Sequence, residues 1–452
     1  MDNTLNKKPL MFTNRALASL ALPIAFEALL SIMAGLVDSA MVSSVGEAAV
    51  SAVSLIDSIN LLLIGFFAAL ASGGTVVVSQ HIGSGDRNSA KNAIKQVLYA
   101  TTFFALVITL IVLPFISNII GWIYPSLEPI VFEYSKSYFF ITVIGYVPCA
   151  IGLAASSLLR AQGKARAAFI QGTIVNLLNV VGNAVFIYGF HMGVAGAALS
   201  TTIVRFLYAI IGLVMLRSKS LEIPLENMLQ YRPDFKILKK IFLIGGANGL
   251  ETSLFYVGKL ILSSLIASFG TIATAAYAVS FNIFNVAANT ICSLGTTLLT
   301  VVGQCIGADE KEQARYYTKK LTNVAFVLVM LFYGIIFFFR NQLVLLFGFS
   351  EEALREAAYF TGFGALVSIF SIYSHSFVPM SAFRAAGDVK YPLVVSLSSM
   401  FVFRIGLAFI LAKGFGMKLE SVWLGMWADW IFRAVLNMIH MKRGKWLNKK
   451  VV

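Results

Sequence analysis

Charged residues are scarce in this sequence. Only 12% of its 452 residues are Asp, Glu, Lys or Arg, whereas 58% are hydrophobic. Soluble domains average roughly 25% charged residues, so this chain lacks the polar surface that a water-soluble core requires. The same composition excludes an intrinsically disordered chain, which combines low hydrophobicity with high net charge. The composition therefore indicates a polytopic membrane protein.

Cysteine and histidine are also scarce. The cysteines are Cys149, Cys292 and Cys305, and the histidines are His81, His191, His375 and His440. The cysteines lie in or at the ends of apolar runs without metal-type spacing, which predicts small buried residues and excludes a disulfide scaffold. The histidines are far apart, whereas a membrane enzyme needs convergent catalytic groups near an interface. We therefore predict no catalytic residues and no enzymatic activity.

Long apolar runs, by contrast, are abundant. Twelve runs of about 20 residues are each bounded by charge, Gly, Pro or Asn, and each is long enough to cross a bilayer as a helix. They are continuous and roughly twice as long as a barrel strand, which favours helices over a β-barrel. The predicted spans are 15–43, 53–79, 97–120, 138–159, 169–190, 194–216, 241–269, 276–302, 321–339, 357–383, 393–411 and 422–441. The predicted fold is an all-α polytopic membrane protein.

Basic residues outnumber acidic ones, and the formal net charge is +14. They are spread over short loops rather than gathered on one face, so they do not indicate a nucleic acid partner. Most lie in the terminal segments and in the loops after even-numbered spans, and the other loops contain only Lys136, Arg340, Arg355, Lys413 and Lys418. The positive-inside rule predicts that both termini are cytoplasmic. The first span has no small-residue cleavage site, which predicts a retained helix rather than a removed signal peptide.

The two halves of the sequence repeat each other at a fixed offset of 224 residues. Residues 23–96 align with 247–320 without a gap, and Arg-Ala-Gln-Gly at 160–163 falls on Arg-Ala-Ala-Gly at 384–387. Each half then contains six helices of the same orientation, as in parallel repeats related by an axis along the membrane normal. Two such bundles can rock against each other in alternating access, although duplication kept for packing alone is the other reading.

The repeat also sets the predicted domains. Residues 1–216 form an N-lobe with six helices, 217–240 form a cytoplasmic connector, and 241–452 form a C-lobe with six helices and a basic tail. The connector contains two prolines, Pro224 and Pro233, which favour a break between helical lobes.

Several short motifs together resemble a known family. They are Arg-Ala-Gln-Gly at 160–163, Arg-Ala-Ala-Gly-Asp at 384–388 followed by Pro392, Gly-Val-Ala-Gly-Ala-Ala at 193–198 and Trp-Ala-Asp-Trp at 427–430. In this order along nearly the whole chain, they resemble the multidrug and toxic compound extrusion (MATE) transporters. The resemblance implies an antiporter in a prokaryotic plasma membrane that exports amphipathic, often cationic, compounds in exchange for Na⁺ or H⁺. It implies small organic substrates such as drugs and dyes, no cofactor besides the coupling ion, and a monomer in the lipid bilayer.

The resemblance also implies a cation site in the first half. The family pattern matches Asp38, Asn179, Asn183, the Ala197 carbonyl and Thr201, and a bound Na⁺ would be held by the Asp, both Asn and the Thr. A carboxylate within a span can bind Na⁺ or take up a proton. Asn179 and Asn183 share a helix face one turn apart, as do Ala197 and Thr201, and hard cations prefer such oxygens. Hydrogen bonds between helices also account for these amides and the hydroxyl, and the choice between Na⁺ and H⁺ stays open.

Other ionisable residues lie within the predicted spans, where they are expected to be paired or functional. The acids are Glu27, Asp38, Asp57, Glu251 and Asp429, and the bases are Arg205, Lys259, Arg404 and Arg433. The first half has three acids and one base, whereas the second has two acids and three bases, so the first half is the better cation site. Asp429 and Arg433 are one turn apart and are predicted to form a structural ion pair.

The remaining candidates are assigned to coupling or substrate binding. They are Glu27 and Glu251, which occupy equivalent repeat positions, Arg205, which can neutralise an acid of the first half, and His375, which can titrate near neutral pH. Lys259 and Arg404 are expected to pair with Glu251 or with a neighbouring helix. An alternative function keeps the fold but changes the cargo to lipid-linked saccharides, as in related flippases. The excess of acids in the first half argues against that cargo.

Overall fold

The computed structural model describes residues 9–226, 228 and 232–452, and in these residues all regular structure is helical. The helices of the first half of the chain are α1 Asn14–Ser43, α2 Glu47–Gly83, α3 Arg87–Val112, α4 Ile116–Ile123, α5 Pro129–Ile144, α6 Tyr146–Ala161, α7 Ala165–Asn183 and α8 Gly193–Leu216. The helices of the second half are α9 Phe235–Ala267, α10 Thr271–Gly307, α11 Lys311–Phe338, α12 Arg340–Val344, α13 Glu351–Phe370, α14 Tyr373–Ala385, α15 Lys390–Ser399, α16 Ala408–Phe415 and α17 Leu419–Arg443.

The twelve predicted spans all coincide with these helices. Nine helical segments of the described chain are long and apolar enough to cross a membrane, and two bent helix pairs add two more. The bent pairs are α5 with α6, which meet at 49°, and α13 with α14, which meet at 55°. The last span corresponds to α17, which is less apolar because it contains Asp429 and Arg433. The prediction of an all-α polytopic membrane protein is confirmed.

Two helical segments contain π-helical turns. Ala184–Gly189 continues α7, and Met400–Leu407 joins α15 to α16. A π-helical turn inserts one extra residue into the helix and is frequent at functional sites. Asn183 directly precedes the first π-helical turn, and Arg404 lies within the second.

The described residues divide into two compact units. The first unit is Leu22–Gly249, and the second unit is Leu250–Val452 together with residues 9–21. Both boundaries therefore lie inside a helix, one in α1 and one in α9. The division differs from the predicted one, because the described residues of the predicted connector 217–240 fall within the first unit, while residues 227 and 229–231 of that connector lie outside the described residues.

Small residues allow close helix packing in the first unit. A Cβ added to Gly73 of α2 would lie 2.6 Å from the backbone nitrogen of Gly245 in α9, so the two backbones touch at these glycines. Asn248 of α9 donates a hydrogen bond to the Ser72 hydroxyl at 3.1 Å beside this contact. Burial of apolar surface does not draw helices together in lipid, so close backbone packing and hydrogen bonds hold them instead.

Aromatic side chains dominate the core of the second unit. The ring of Phe284 in α10 stacks on Trp430 of α17 with centroids 5.4 Å apart, and it contacts Tyr333, Tyr373 and Trp423 at 5.5 to 5.8 Å. Residues 9–21 join this unit through α11, where the Met11 amide donates to the Gln313 side chain at 2.9 Å and the Phe12 amide donates to the Tyr317 hydroxyl at 2.8 Å.

Candidate functional site

Asp38 and Asn183 are in contact in the first unit. The Asn183 side-chain amide donates a hydrogen bond to the Asp38 carboxylate, which joins α1 to the end of α7. Asn183 is fully buried, and its Oδ1 atom has no hydrogen-bond partner among the described residues. A buried amide oxygen without a partner costs free energy unless another group binds it. The contact therefore leaves an unused acceptor beside a carboxylate.

Asn179 and Thr201 form a second pair one turn away on α7. The Asn179 amide donates to the Thr201 hydroxyl of α8 at 3.4 Å, and the Ser200 hydroxyl donates to the Asn179 carbonyl at 3.0 Å. Ala197 is buried on α8 one turn before Thr201. The structure thus brings the predicted site residues together as two neighbouring pairs, Asp38 with Asn183 and Asn179 with Thr201.

A second carboxylate near this site was not among the predicted site residues. Asp57 of α2 accepts hydrogen bonds from the Tyr138 hydroxyl at 3.1 Å and from the Asn60 amide at 3.3 Å. The Tyr146 hydroxyl completes the network by donating to Asn60 at 2.7 Å. Asp57 is close enough to Asp38 for their charges to interact. The excess of acids in the first half was the sequence signal that could have placed Asp57 here.

Arg205 does not form a salt bridge with an acid in the described part of the chain. Its guanidinium donates instead to the backbone carbonyl of Thr142 at 2.9 Å and lies 5.9 Å from the centroid of the Tyr146 ring. Arg205 acts on Asp57 only through its longer-range electrostatic field. Neither Asp38 nor Asp57 forms a salt bridge with any of the described residues.

Glu27 and Glu251 are each held by an arginine. Arg160 binds both carboxylate oxygens of Glu27 at 2.7 and 2.8 Å, and Arg384 binds Glu251 at 2.5 Å. The two pairs are related by the same offset of 224 residues as the rest of the repeat. The sequence predicts the equivalence of the two acids but not their partners. The arginines were visible as the first residues of the repeated motifs at 160–163 and 384–387.

Asp429 accepts hydrogen bonds from two arginines in the second unit. Arg433 binds it at 2.7 Å, as the one-turn spacing predicts, and Arg404 binds it at 2.7 Å from the π-helical turn. Arg404 was expected to pair with Glu251 or with a neighbouring helix, and its partner is Asp429 of the neighbouring helix α17. The same expectation is wrong for Lys259, because Arg384 occupies Glu251 and Lys259 forms no ion pair within the described residues.

His375 lies on α14 with its ring 5.9 Å from the Phe326 ring, and its Nδ1 atom is 3.2 Å from the Ser374 hydroxyl. No carboxylate forms a salt bridge with it in the described chain. Its neighbours here are an aromatic ring and a hydroxyl group. Within the described residues, no group of three or more His, Cys, Asp and Glu side chains could hold a metal ion. A cation in the first unit would therefore depend on one or two carboxylates with neutral oxygens.

Comparison with known proteins agrees with this architecture. The sequence model of the MatE family matches residues 23–185 and again residues 249–410, once in each half of the repeat. The chain is 26% identical over 459 residues to the probable multidrug resistance protein NorM of Thermotoga maritima, covering 100% of this chain and 97% of that protein. It is 26% identical over 442 residues to the uncharacterized transporter YisQ of Bacillus subtilis, covering 96% of this chain and 95% of that protein.

A solved structure shares the fold. It is described as the outward-facing conformation of a multidrug resistance MATE family transporter of the MOP superfamily, and it matches with a TM-score of 0.89 over 96% of both chains at 20% identity. The two matches to the family model together cover well over half of this sequence. The chain therefore belongs to the MATE family of multi-pass membrane transporters.

Proposed function

We propose that the protein is an antiporter that exports amphipathic, often cationic, organic compounds in exchange for Na⁺ or H⁺. The observation that carries this proposal is the contact between Asp38 and the buried Asn183, whose Oδ1 atom has no partner. A carboxylate beside an unused amide oxygen matches the ligands that a hard cation prefers. The family membership and the names of the relatives support export of small organic compounds.

In this proposal the coupling ion acts in the first unit. Na⁺ would be held by Asp38 and Asn183, with Asn179 and Thr201 one turn away, whereas H⁺ would be taken up by the Asp38 carboxylate. The positive charge of the ion neutralises the carboxylate. Asn183 connects α1 to the start of a π-helical turn, so a change at Asp38 acts directly on two helices of the unit. This coupling between ion binding and helix contacts is what alternating access requires.

The remaining features of the proposal come from the sequence. We place the protein in a prokaryotic plasma membrane with both termini in the cytoplasm, because most loop lysines and arginines lie on that side. We propose that it acts as a monomer, since each half of the repeat supplies one of the two bundles.

The test is uptake of a fluorescent lipophilic cation, ethidium, into everted membrane vesicles under an imposed Na⁺ gradient or an imposed pH gradient, since export from the cytoplasm is inward movement in an everted vesicle. Wild type should move the dye under one of the two gradients, and Asp38→Asn should abolish that movement. Glu47→Gln is the matched control, because it removes an exposed acid from the first turn of α2. Undiminished transport by Asp38→Asn would remove Asp38 from the coupling site. Absence of gradient-driven movement for several such cations would favour the lipid-linked saccharide cargo.

A further inference from the structure

Among the described residues of the second unit, one intramembrane cation has no acidic partner. Its two intramembrane acids are both occupied, because Glu251 pairs with Arg384 and Asp429 pairs with Arg404 and Arg433. Lys259 of α9 is the basic residue that remains. In the described part of the chain, its ammonium forms no salt bridge and no hydrogen bond. The unpaired intramembrane charge of the second unit is thus positive, whereas the first unit contains the acids Asp38 and Asp57.

Aromatic rings surround the Lys259 ammonium. Its Nζ atom lies 5.5 Å from the Phe255 ring centroid, 5.6 Å from that of Tyr256 and 5.3 Å from that of Phe281. Phe281 in turn stacks on Tyr277 with centroids 5.2 Å apart and planes 14° apart. The result is an ammonium at the centre of flat aromatic surfaces. We call these four residues, Lys259, Phe255, Tyr256 and Phe281, the aromatic lysine cluster.

A second positive charge lies next to the cluster. The Arg404 guanidinium is 4.9 Å from the same Phe255 ring, and its charge acts on Lys259. Arg404 shares the Asp429 carboxylate with Arg433, so one negative charge faces two guanidinium groups, whereas Lys259 has no ion-pair partner in the described residues. Cation-π contacts stabilise the ammonium and leave its charge in place. An unpaired charge within a span is costly and marks a group that meets water or an external partner.

The external partner that fits this arrangement is an anion attached to a flat ring. A carboxylate can accept hydrogen bonds from the ammonium, and an aromatic system can stack among the Phe255, Tyr256 and Phe281 rings. A purely cationic compound is repelled by Lys259 and by Arg404 behind it. An aromatic compound that carries both a cationic group and a carboxylate avoids that repulsion.

We propose that the aromatic lysine cluster binds the carboxylate of planar aromatic substrates, so that the protein prefers zwitterionic aromatic compounds over their cationic esters. This inference rests on the proposed export function and specifies its substrate class. Lys259 is a residue that contacts the substrate, and its role is to select among substrates rather than to couple the ion.

A pair of dyes that differ by one methyl group tests the inference. Rhodamine 110 carries a free carboxylate, and rhodamine 123 is its methyl ester with the same ring system. Wild type is expected to bind rhodamine 110 more tightly than rhodamine 123, as measured by fluorescence polarisation with purified full-length protein in detergent. Lys259→Gln is expected to weaken rhodamine 110 binding by about tenfold or more, because a charge-assisted hydrogen bond is lost. The affinity for rhodamine 123 is expected to stay equal or rise.

Two further variants serve as controls. Lys259→Arg keeps the charge and is expected to retain the preference for rhodamine 110. Lys413→Gln removes an exposed lysine whose Nζ lies 5.8 Å from the Phe409 ring, and it is expected to change neither affinity. The inference is overturned if Lys259→Gln leaves the ratio of the two affinities unchanged, or if wild type prefers the ester.

Binding and transport separate the two proposals. The dye preference is measured at equilibrium without a gradient, so it is independent of ion coupling. A preference for rhodamine 110 that depends on Lys259 would support the cluster even if neither gradient drives export, in which case only the antiporter proposal fails. Gradient-driven export without this preference would support the antiporter and overturn the cluster.

Discussion

Substitution of Asp429 should strongly destabilise the protein. Asp429 is completely buried and accepts hydrogen bonds from Arg433 and Arg404, which are 2% and 6% exposed. Removing one partner of a buried ion pair costs about 3 to 5 kcal/mol, because the remaining charge is left without compensation. Asp429→Ala leaves two buried guanidinium groups, so we expect a loss near the upper end of that range. This loss lowers the ratio of folded to unfolded protein by about three to four powers of ten.

A surface pair with the same spacing provides the control. Glu351 and Arg355 are also four residues apart on one helix, but they are 93% and 84% exposed and their closest atoms are 3.6 Å apart. Exposed pairs contribute little because water and salt screen them. We therefore expect Glu351→Ala to leave the unfolding midpoint unchanged within error.

The assay is thermal unfolding of purified protein in detergent, followed by size-exclusion chromatography of what remains folded. Asp429→Ala should lower the midpoint by many degrees, and Asp429→Asn, which keeps the shape but not the charge, should fall between it and wild type. If Asp429→Ala unfolds at the same temperature as Glu351→Ala, the reasoning that Asp429 stabilises two buried arginines by pairing with them is refuted.

Two further predictions concern the repeat and the packing of α9. Arg160→Gln and Arg384→Gln should lower the unfolding midpoint by similar amounts, because each leaves a half-buried acid without its arginine. Adding Glu27→Gln to the first variant, or Glu251→Gln to the second, should recover part of the loss. A double variant no more stable than the single one would contradict this. Gly245→Ala should destabilise the protein, because a Cβ at this position would lie 2.8 Å from the Leu70 Cα atom. Gly246→Ala should not, because a Cβ there meets nothing within 4 Å. Equal thermal midpoints for the two variants would show that α2 and α9 can separate at no cost.

The sequence predicted the helices well because their signal is local. A run of apolar residues long enough to span a bilayer needs no information about its neighbours, and all twelve runs coincide with helices. The repeat was likewise visible as a constant offset, and the family model matches each half separately. The bends between α5 and α6 and between α13 and α14 were not predicted, because the apolar runs of the sequence continue through both breaks.

The pairing of distant charges was predicted less well. The one-turn spacing of Asp429 and Arg433 predicts their contact, whereas the contact of Arg404 with Asp429 depends on how the π-helical turn packs on α17. The partners of Glu27 and Glu251 lie 133 residues further along the chain, and spacing within a helix gives no information at that distance. The same reason explains why Asp57 was counted as an acid but not placed near Asp38.

The position of the unit boundaries inside α1 and α9 determines how this chain could be cut. Residues 9–21 pack with Leu250–Val452 although they precede Leu22–Gly249 in the sequence. No single cut can therefore yield two fragments that each contain one complete unit. A circular permutant that joins the present termini and opens near residue 22 would run through Leu22–Gly249, then Leu250–Val452 and then 9–21. In that order each unit is one uninterrupted stretch of polypeptide, and the two units could be encoded by separate genes.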